Sequence, residues 1–555
     1  MRIERHQVDG ARVAKAREDF VNRIGRQVHS YSRAGLMTTT EWQLITDSFL
    51  DYLGALSTTR PDLDCAEAKA VLKDAAEAAA GAVSFAAYHP HDSFHVFLDY
   101  PNFGMSYDPE YGQERDPRNR VTAGDWLDAF CLAILSDKVP AHGEAFCWAR
   151  QLMPDGPVTS TLELADGFGA HFFEEEEFPT ASAAEPQPGL RALRALTDGD
   201  REAFDAALLA LLQDGPHGTG PASLLPLVPI ALAALAYRTH GWSPAVDTDY
   251  LPHALVTGFE APGPRVRGLG RDPRPDAVAR LAAGPVDLDR TSPARPLSPD
   301  SEARFERRTL EALTPKEGEP LDAWELTCAL RYQTYLLAAR ASESSDATDA
   351  QLANLRLGSR LGAAVYRAAL AEPGTEAEAT IDGRTLRFPA SRDTDFGPAF
   401  WETALSYALI TGSSEDLEPL LLAGPTIAAE DRSPFAAPYR TALHDHLRGA
   451  DPRPATERAL KEVERIGDRI FLPPPVVLFS QLVEGDETSF NLALLDALEA
   501  HRDHHSVADR ATDTEAPLNL GILALACHAR RTRGWTVHVR SPYLPPRLLE
   551  AARPA

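Results

Sequence analysis

The sequence predicts a mainly α-helical protein made of two tandemly duplicated α-helical domains, each with a small β-hairpin insert. A long-range repeat, helical apolar periodicity and one alternating segment in each half support this prediction. The repeat joins Ala231–Pro252 to Ala524–Pro545 at a constant offset of 293, and 12 of the 22 paired positions are identical. Self-similarity over such a distance indicates a duplicated structural unit.

Four more pairs of segments follow the same order in both halves. They are 41–53 with 323–336, 78–87 with 359–369, 125–137 with 400–412, and 199–212 with 485–498. The stretch 260–299 between the halves is rich in Pro, Gly and Arg and has no sustained apolar period, which is typical of a linker. We therefore predict an N-terminal helical domain at 1–259, a linker at 260–299 and a C-terminal helical domain at 300–555.

Most segments have apolar residues at helical spacing. In residues 126–135, Trp126, Phe130 and Ile134 recur every four residues and predict one apolar helix face. The exceptions are 376–388, which alternates around Asp382-Gly383, and 93–107, which is aromatic and turns at Pro101-Asn102. Each predicts a β-hairpin, because these residues suit tight turns.

The repeated segment itself has a structural explanation. Its basic residues, such as Arg238 and Arg531, come at the end of a predicted helix, where positive charge complements the helix dipole. Gly241 and Gly534 follow at the position of a left-handed cap. We expect packing and capping to explain the segment, with binding by its Trp and Tyr residues as the alternative.

Charge and targeting signals restrict the class of protein. The chain of 555 residues carries 81 acidic and 55 basic side chains, a formal net charge of −26. Such a surface repels phosphates, so we expect neither nucleic-acid nor membrane binding; it suits a basic protein partner, or simply serves solubility. The N-terminus is charged from its second residue, and the longest apolar run, 224–237, is too short and proline-interrupted to span a bilayer. These features predict a cytoplasmic protein.

No pattern in the chain predicts a reaction centre. The five cysteines form no CxxC pair, which favours free thiols over disulfides or a metal site. No nucleophile elbow, P-loop, dinucleotide fingerprint or HExxH helix occurs. We therefore predict no catalytic, cofactor-binding or metal-binding residues and no cofactor. Two groups of histidines do not suit a metal site, which needs three or four ligands that converge from ordered elements. The first is His89, His91 and His95. The second, in a predicted loop, is His501, His504 and His505.

The sharpest acidic run is Glu174, Glu175, Glu176 and Glu177. Paired carboxylates that act as acid and base need a pocket that separates their pKa values, and four consecutive glutamates give no sign of one. The run is typical of a solvated loop or the start of a helix. As a functional hypothesis, it contacts a basic partner.

Several of these segments resemble the immunity 49 family of bacterial polymorphic toxin systems. The resemblance rests on the aromatic segment 84–112, the helix of 125–137, the Gly199-Asp200 to Phe204 segment and the closing Gly-Trp to Tyr-Leu-Pro segment. It covers most of both halves and is strongest over about 120–258 and 480–550. These are packing motifs, so they indicate a lineage and carry over no catalytic residues.

The resemblance implies an immunity protein that binds a co-encoded toxin domain and masks it without catalysis. Complementary potentials would then speed the capture of a basic toxin. Two alternatives remain open from the residues alone. One is a helical scaffold that presents a groove to protein segments; the other is an unrecognised hydrolase with its site between the halves.

Overall fold

The computed structural model describes residues 2–153, 159–173, 187–215, 218–259, 275–291, 296–314, 321, 323–391, 397–427, 430–466 and 474–554. Contacts divide the chain into two compact units, unit 1 at Met1–Ala261 and unit 2 at Pro262–Ala555. Each unit is described separately below.

Unit 1 consists of helices with two pairs of short strands. Its helices are α1 Gly10–Arg17, α2 Phe20–Ala34, α3 Thr39–Ser57, α4 Ala66–Tyr88, α5 Ala123–Leu135, α6 Val139–Gln151, α7 Ser160–Phe172, α8 Pro188–Asp198, α9 Arg201–Gln213, α10 Leu227–His240 and α11 His253–Thr257, with a 3-10 turn at Pro221–Leu224. Its strands are β1 Arg2–Ile3, β2 Phe94–Leu98, β3 Phe103–Tyr107 and β4 Asp247–Thr248.

Unit 2 repeats this order of elements with a few additions. Its helices are α12 Pro275–Ala283, α13 Pro299–Ala312, α14 Ala323–Glu343, α15 Asp349–Leu370, α16 Pro398–Thr411, α17 Ser414–Ala423, α18 Ala436–Leu447, α19 Arg453–Ile466, α20 Val476–Glu484, α21 Glu487–His504, α22 Leu520–Arg533 and α23 Pro546–Ala551, with a 3-10 turn at Arg510–Thr512. Its strands are β5 Val286–Asp287, β6 Glu376–Ile381, β7 Arg384–Pro389 and β8 Val539–Arg540.

Both predicted hairpins are present. β2 pairs antiparallel with β3, and β6 pairs antiparallel with β7. Asn102 in the first turn, and Asp382 with Gly383 in the second, have positive φ, as these turns require. The mainly α prediction is confirmed. The two-residue parallel pairs β1–β4 and β5–β8, which join the start of each unit to its end, were not predicted.

Part of the predicted linker belongs to unit 2. Val286 and Asp287 form β5 and pair with Val539 and Arg540 of β8. Val286 and Leu288 are buried in the core of unit 2, and α12 packs against α21. These apolar residues are too widely spaced among Pro and Arg to produce a recognisable period. For this reason the sequence predicts a linker over the whole of 260–299.

Each unit buries a tryptophan in the helix that follows its hairpin. In α5 the indole N–H of Trp126 donates to the carbonyl of Phe146, at 3.0 Å. In α16 the indole N–H of Trp401 donates to the carbonyl of Leu420, also at 3.0 Å. Both rings are almost completely buried, so each satisfied N–H removes a large penalty from the core.

One arginine of the repeated segment in each unit lies in the last turn of its helix, as predicted, and makes a further contact that was not predicted. Arg238 donates to the carbonyls of Ile134 and Leu135 at the end of α5, and Arg531 donates to those of Leu409 and Ile410 at the end of α16. Each therefore also caps a neighbouring helix. A sequence shows that a positive charge lies near a helix end, but it does not show whether that charge caps the same helix or a neighbouring one.

Other features of the repeated segment agree with packing and capping. Gly241 and Gly534 end α10 and α22 in the left-handed conformation, with φ of 71° and 72°. Tyr250 and Tyr543 are buried, and each lies beside an arginine that follows the unit's first strand, Arg5 and Arg290 respectively.

The described residues contain one helical segment, Pro221–His240, that is long and apolar enough to cross a membrane by length and composition. Within unit 1, 61% of that segment's apolar window is buried. Such a value is typical of a core helix, as the prolines within the run predicted. All five cysteines are free thiols, and Cys131 and Cys527 are buried.

Candidate functional site

Unit 2 contains a polar-lined cavity of ≈ 320 Å³, here called the α16 cavity. Its walls come from α14, α16, the start of α18 and the residues just before α20 and α22. Phe435, Pro475 and Leu518 supply apolar surface, while Glu402, Arg440 and Glu515 supply charge. The cavity therefore combines apolar walls with a few charged groups, which is typical of a binding site.

The buried charges of the cavity form a network centred on Arg440. Its Nε donates to Glu402 at 2.8 Å, and its Nη1 donates to Asp431 at 2.9 Å. Only 10% of the Arg440 side chain is exposed, and 7% of Asp431. Two carboxylates thus neutralise one guanidinium, and the network carries a net negative charge.

Glu402 differs from Asp431 because it faces the cavity. Its side chain keeps 22% of its surface accessible although protein surrounds it on nearly every side. Burial raises the pKa of Glu402; Arg440 limits the rise, and Glu515 and Asp431 add to it. Glu515 itself is exposed at the mouth of the cavity. A second cation at this position would stabilise Glu402 in its charged form.

The cavity offers binding groups rather than a nucleophile and base. Ser406 is its serine, and the hydroxyl donates to the carbonyl of Glu402 one helical turn away, at 2.8 Å. Asn519 caps α22, accepting from the backbone N–H of Ile522 at 3.0 Å. Among its described lining residues there is no histidine or cysteine to activate a hydroxyl.

Unit 1 is filled at the corresponding place. A Cβ at Gly54 in α3 would overlap the backbone of Pro221, so the absence of a side chain lets the 3-10 turn 221–224 pack directly on the helix. Counting from the paired Trp42 and Trp324, unit 2 has Leu336 at this position, and Leu336 is buried. In unit 2 the matching loop, which contains Glu515, lines the cavity together with Thr334, Leu337 and Ala338 of α14.

Unit 1 instead displays aspartates between α3 and α5. Asp47 and Asp128 are both exposed. Burial raises the pKa of Asp128 to about 6, with repulsion from Asp125 and Asp47 adding to the rise.

The acidic run Glu174, Glu175, Glu176 and Glu177, proposed from the sequence as a partner contact, lies outside the described residues. The structure therefore adds nothing to that prediction.

The first histidine group does not converge. The ring of His89 stacks on Phe85 and lies 3.9 Å from a carboxylate oxygen of Glu110, whereas His95 bonds to Ser106 within the hairpin. Within the part of the chain that the structure describes, no three His, Cys, Asp or Glu side chains are arranged to hold a metal ion.

The second histidine group was wrongly expected in a loop. His501 and His504 belong to the last turns of α21, and His505 is its cap. His501 and His505 are buried, and the His501 ring lies 5.0 Å from that of Tyr543. The extra residues in this half lengthen the helix instead of forming a loop, because residues 487–504 keep their apolar spacing through to the histidines.

Sequence reasoning missed the network around Arg440. Glu402 is the one acid in an otherwise apolar part of α16, and Arg440 is a long charged residue that is buried in α18. An isolated charge on an apolar helix face is a detectable signal. Its partner was not detectable, because Glu402 and Arg440 are separated by 38 positions.

Comparison with protein families decides the classification. The model of the family described as Immunity protein 49 matches residues 157–255 and 344–548, together more than half of the chain. The chain belongs to the Immunity protein 49 family. No curated protein and no solved structure gives a significant match.

The family match also bears on the repeat. Its two segments end at residues 255 and 548, and 548 minus 255 is 293, the offset of the repeated segment. The second segment includes every lining residue of the α16 cavity except three in α14: Thr334, Leu337 and Ala338.

Proposed function

We propose that this protein is an immunity protein that binds a co-encoded toxin domain and neutralises it by masking, without catalysis. Membership of the Immunity protein 49 family, over more than half of the chain, is the observation that carries this proposal. The binding groups of the α16 cavity, which include no histidine or cysteine among the described lining residues, support recognition over chemistry.

The toxin surface that fits this protein is basic. The chain has a net charge of −26, and the carboxylate of Glu515 is exposed at the mouth of the α16 cavity. Complementary potentials raise association rates most strongly at low ionic strength. The association rate should therefore fall steeply as salt is added, and a flat salt response would exclude a charge-steered partner.

We also propose a tandem duplication as the origin of the two units, and action in the cytoplasm of the producing cell. The paired segments, the equal order of helices and hairpins, and the repeated Trp and Arg contacts support the first proposal. The second follows from the role: a toxin must be masked where the producing cell is exposed to it.

Co-expression tests the proposal directly. The toxin domain encoded beside this gene is induced in a sensitive host with this chain, or with an unrelated helical protein as control. The proposal predicts growth only with this chain, together with a stoichiometric complex on size-exclusion chromatography. Growth arrest in both cultures, or rescue without a complex and with loss of the toxin polypeptide, would contradict masking.

A further inference from the structure

We propose that the α16 cavity receives an arginine side chain from the bound partner, held between Glu402 and Glu515. This inference rests on the proposed function for the identity of the partner, a toxin domain. It assigns the recognition to one cavity in unit 2 and to one type of side chain.

The charges of the cavity select a cation. Arg440 is already engaged by Glu402 and Asp431 at 2.8 and 2.9 Å, so its guanidinium is largely compensated and does not favour an anion. Glu515, exposed at the mouth, adds a further carboxylate. Three acids face one base, and an entering cation reduces this excess of negative charge.

The shape and walls of the cavity favour a side chain over a metal ion. Its volume of ≈ 320 Å³ lies at the lower end of ligand pockets, which span roughly 300–1,000 Å³. The described residues contain no group of acids or histidines arranged for a metal. Phe435, Pro475 and Leu518 offer apolar surface for the methylene groups of a long side chain.

Arginine fits these walls better than lysine. A planar guanidinium stacks on flat apolar groups and bonds to carboxylates through two N–H groups at once. Glu402 uses Oε2 for Arg440, and its accessible surface faces the cavity. At the matching position of unit 1, Pro221 packs directly on Gly54.

The test uses a probe that needs no toxin. N-acetyl-arginine amide is titrated into the full chain, and the methyl signals of Leu337, Leu518 and Leu520 are followed by NMR. The uncharged isostere N-acetyl-citrulline amide is the matched probe. We expect saturable shifts at these leucines with the arginine compound and none with citrulline.

Two variants test whether Glu515 contributes to binding of the arginine probe. Glu515→Gln should weaken the binding of the arginine probe about fivefold, as loss of one partly exposed charge interaction. Glu484→Gln, at the far end of α20 and about 14 Å along the helix from Pro475, is the control and should change nothing. Equal shifts with citrulline, no shifts at all, or a Glu515→Gln chain that binds as tightly as the wild type would each overturn the proposal.

Failure of this test is distinguishable from failure of the proposed function. A chain that rescues growth but does not bind the arginine probe keeps its role as an immunity protein and loses this cavity as the contact. A chain that binds the probe and fails to rescue growth keeps the cavity and loses the role.

Discussion

The two units share several internal contacts but differ beside the helix that precedes the long helix before the hairpin, α3 in unit 1 and α14 in unit 2. Trp126 and Trp401 donate to a backbone carbonyl at the same distance, 3.0 Å. In unit 1 the absence of a side chain at Gly54 lets a loop pack directly on α3, whereas in unit 2 the α16 cavity lies beside α14. Contacts shared by both units therefore report on architecture, and the differences report on function.

The parallel strand pairs show how a contact can persist while its residues exchange. In unit 1, Arg2 of β1 is paired with Asp247 of β4; in unit 2, Asp287 of β5 is paired with Arg540 of β8. The charged partners have changed places, and the ion pair is present in both units. What the fold requires there is opposite charge across the two strands, not a particular residue in either.

The largest expected effect comes from removing the repeated tryptophans. Trp126→Ala and Trp401→Ala should each destabilise their own unit by about 3–5 kcal/mol, since both leave a large buried cavity and an unsatisfied carbonyl. Chemical unfolding of the full chain measures the loss, with Trp126→Phe and Trp401→Phe as milder controls. A large loss for one tryptophan and a negligible loss for the other would break the equivalence of the units.

A change of pH should affect the stability of the two units in opposite directions. Burial lowers the pKa of His501 to about 3 and that of His528 to about 4. The unfolded chain binds these protons near pH 6.5, where the folded unit does not, so unit 2 loses stability as the pH falls from 6.5. Over 6.5 to 5 the loss is about 2 kcal/mol per histidine, at about 1.4 kcal/mol per pH unit.

Unit 1 contains a buried group through which pH has the opposite effect on stability. Burial raises the pKa of Asp74 in α4 to about 7, against 3.8 for the free side chain, so this group costs stability as the pH rises from about 4 to 7. Hydrogen exchange, corrected for intrinsic rates, should show α21 and α22 opening more readily at pH 5 than at pH 7, and α4 less readily. Parallel changes in both units would contradict this assignment.

A smaller effect tests why the 221–224 turn packs directly on α3 in unit 1. Gly54→Ala should destabilise unit 1 by about 1–3 kcal/mol, because the added Cβ overlaps the backbone of Pro221. Gly25→Ala in α2 is the control: its Cβ meets open space, and it should stabilise the helix by about 0.5–1 kcal/mol. Thermal unfolding measures both. If Gly54→Ala is as harmless as Gly25→Ala, close packing of the 221–224 turn does not explain the difference between the units.

The smallest effect concerns the exchanged charges. Arg540→Asp places two carboxylates across the β5–β8 pair and should lower the unfolding midpoint slightly, in low salt more than in high salt. Adding Asp287→Arg reproduces the order of unit 1 and should restore the midpoint. A double variant that is no better than Arg540→Asp would show that the strand pair depends on the particular residues.

Local patterns made the helices and hairpins predictable. The spacing of Trp126, Phe130 and Ile134, and the Asp382-Gly383 turn, depend on neighbours a few residues away, and both are confirmed. The parallel strand pairs were missed because two residues carry no period, and their partners are far apart in the chain.

The site was not predictable in the same way. Glu402 and Arg440 meet across 38 positions, and the cavity is lined by residues from five separate segments of the chain between 334 and 521. Arg531 illustrates the same limit, since its charge was recognised but its target in α16 was not. Periodicity reports which face of a helix is buried, and not which distant group it meets.

The most direct test of the account measures how tightly matched variants bind the toxin domain encoded beside this gene. Isothermal titration compares Glu515→Gln in unit 2 with Asp128→Asn, the loss of an exposed acid in unit 1. The account predicts that Glu515→Gln weakens binding about tenfold and that Asp128→Asn changes it by less than about twofold. Weakening by Asp128→Asn that equals or exceeds that of Glu515→Gln would contradict recognition through the α16 cavity.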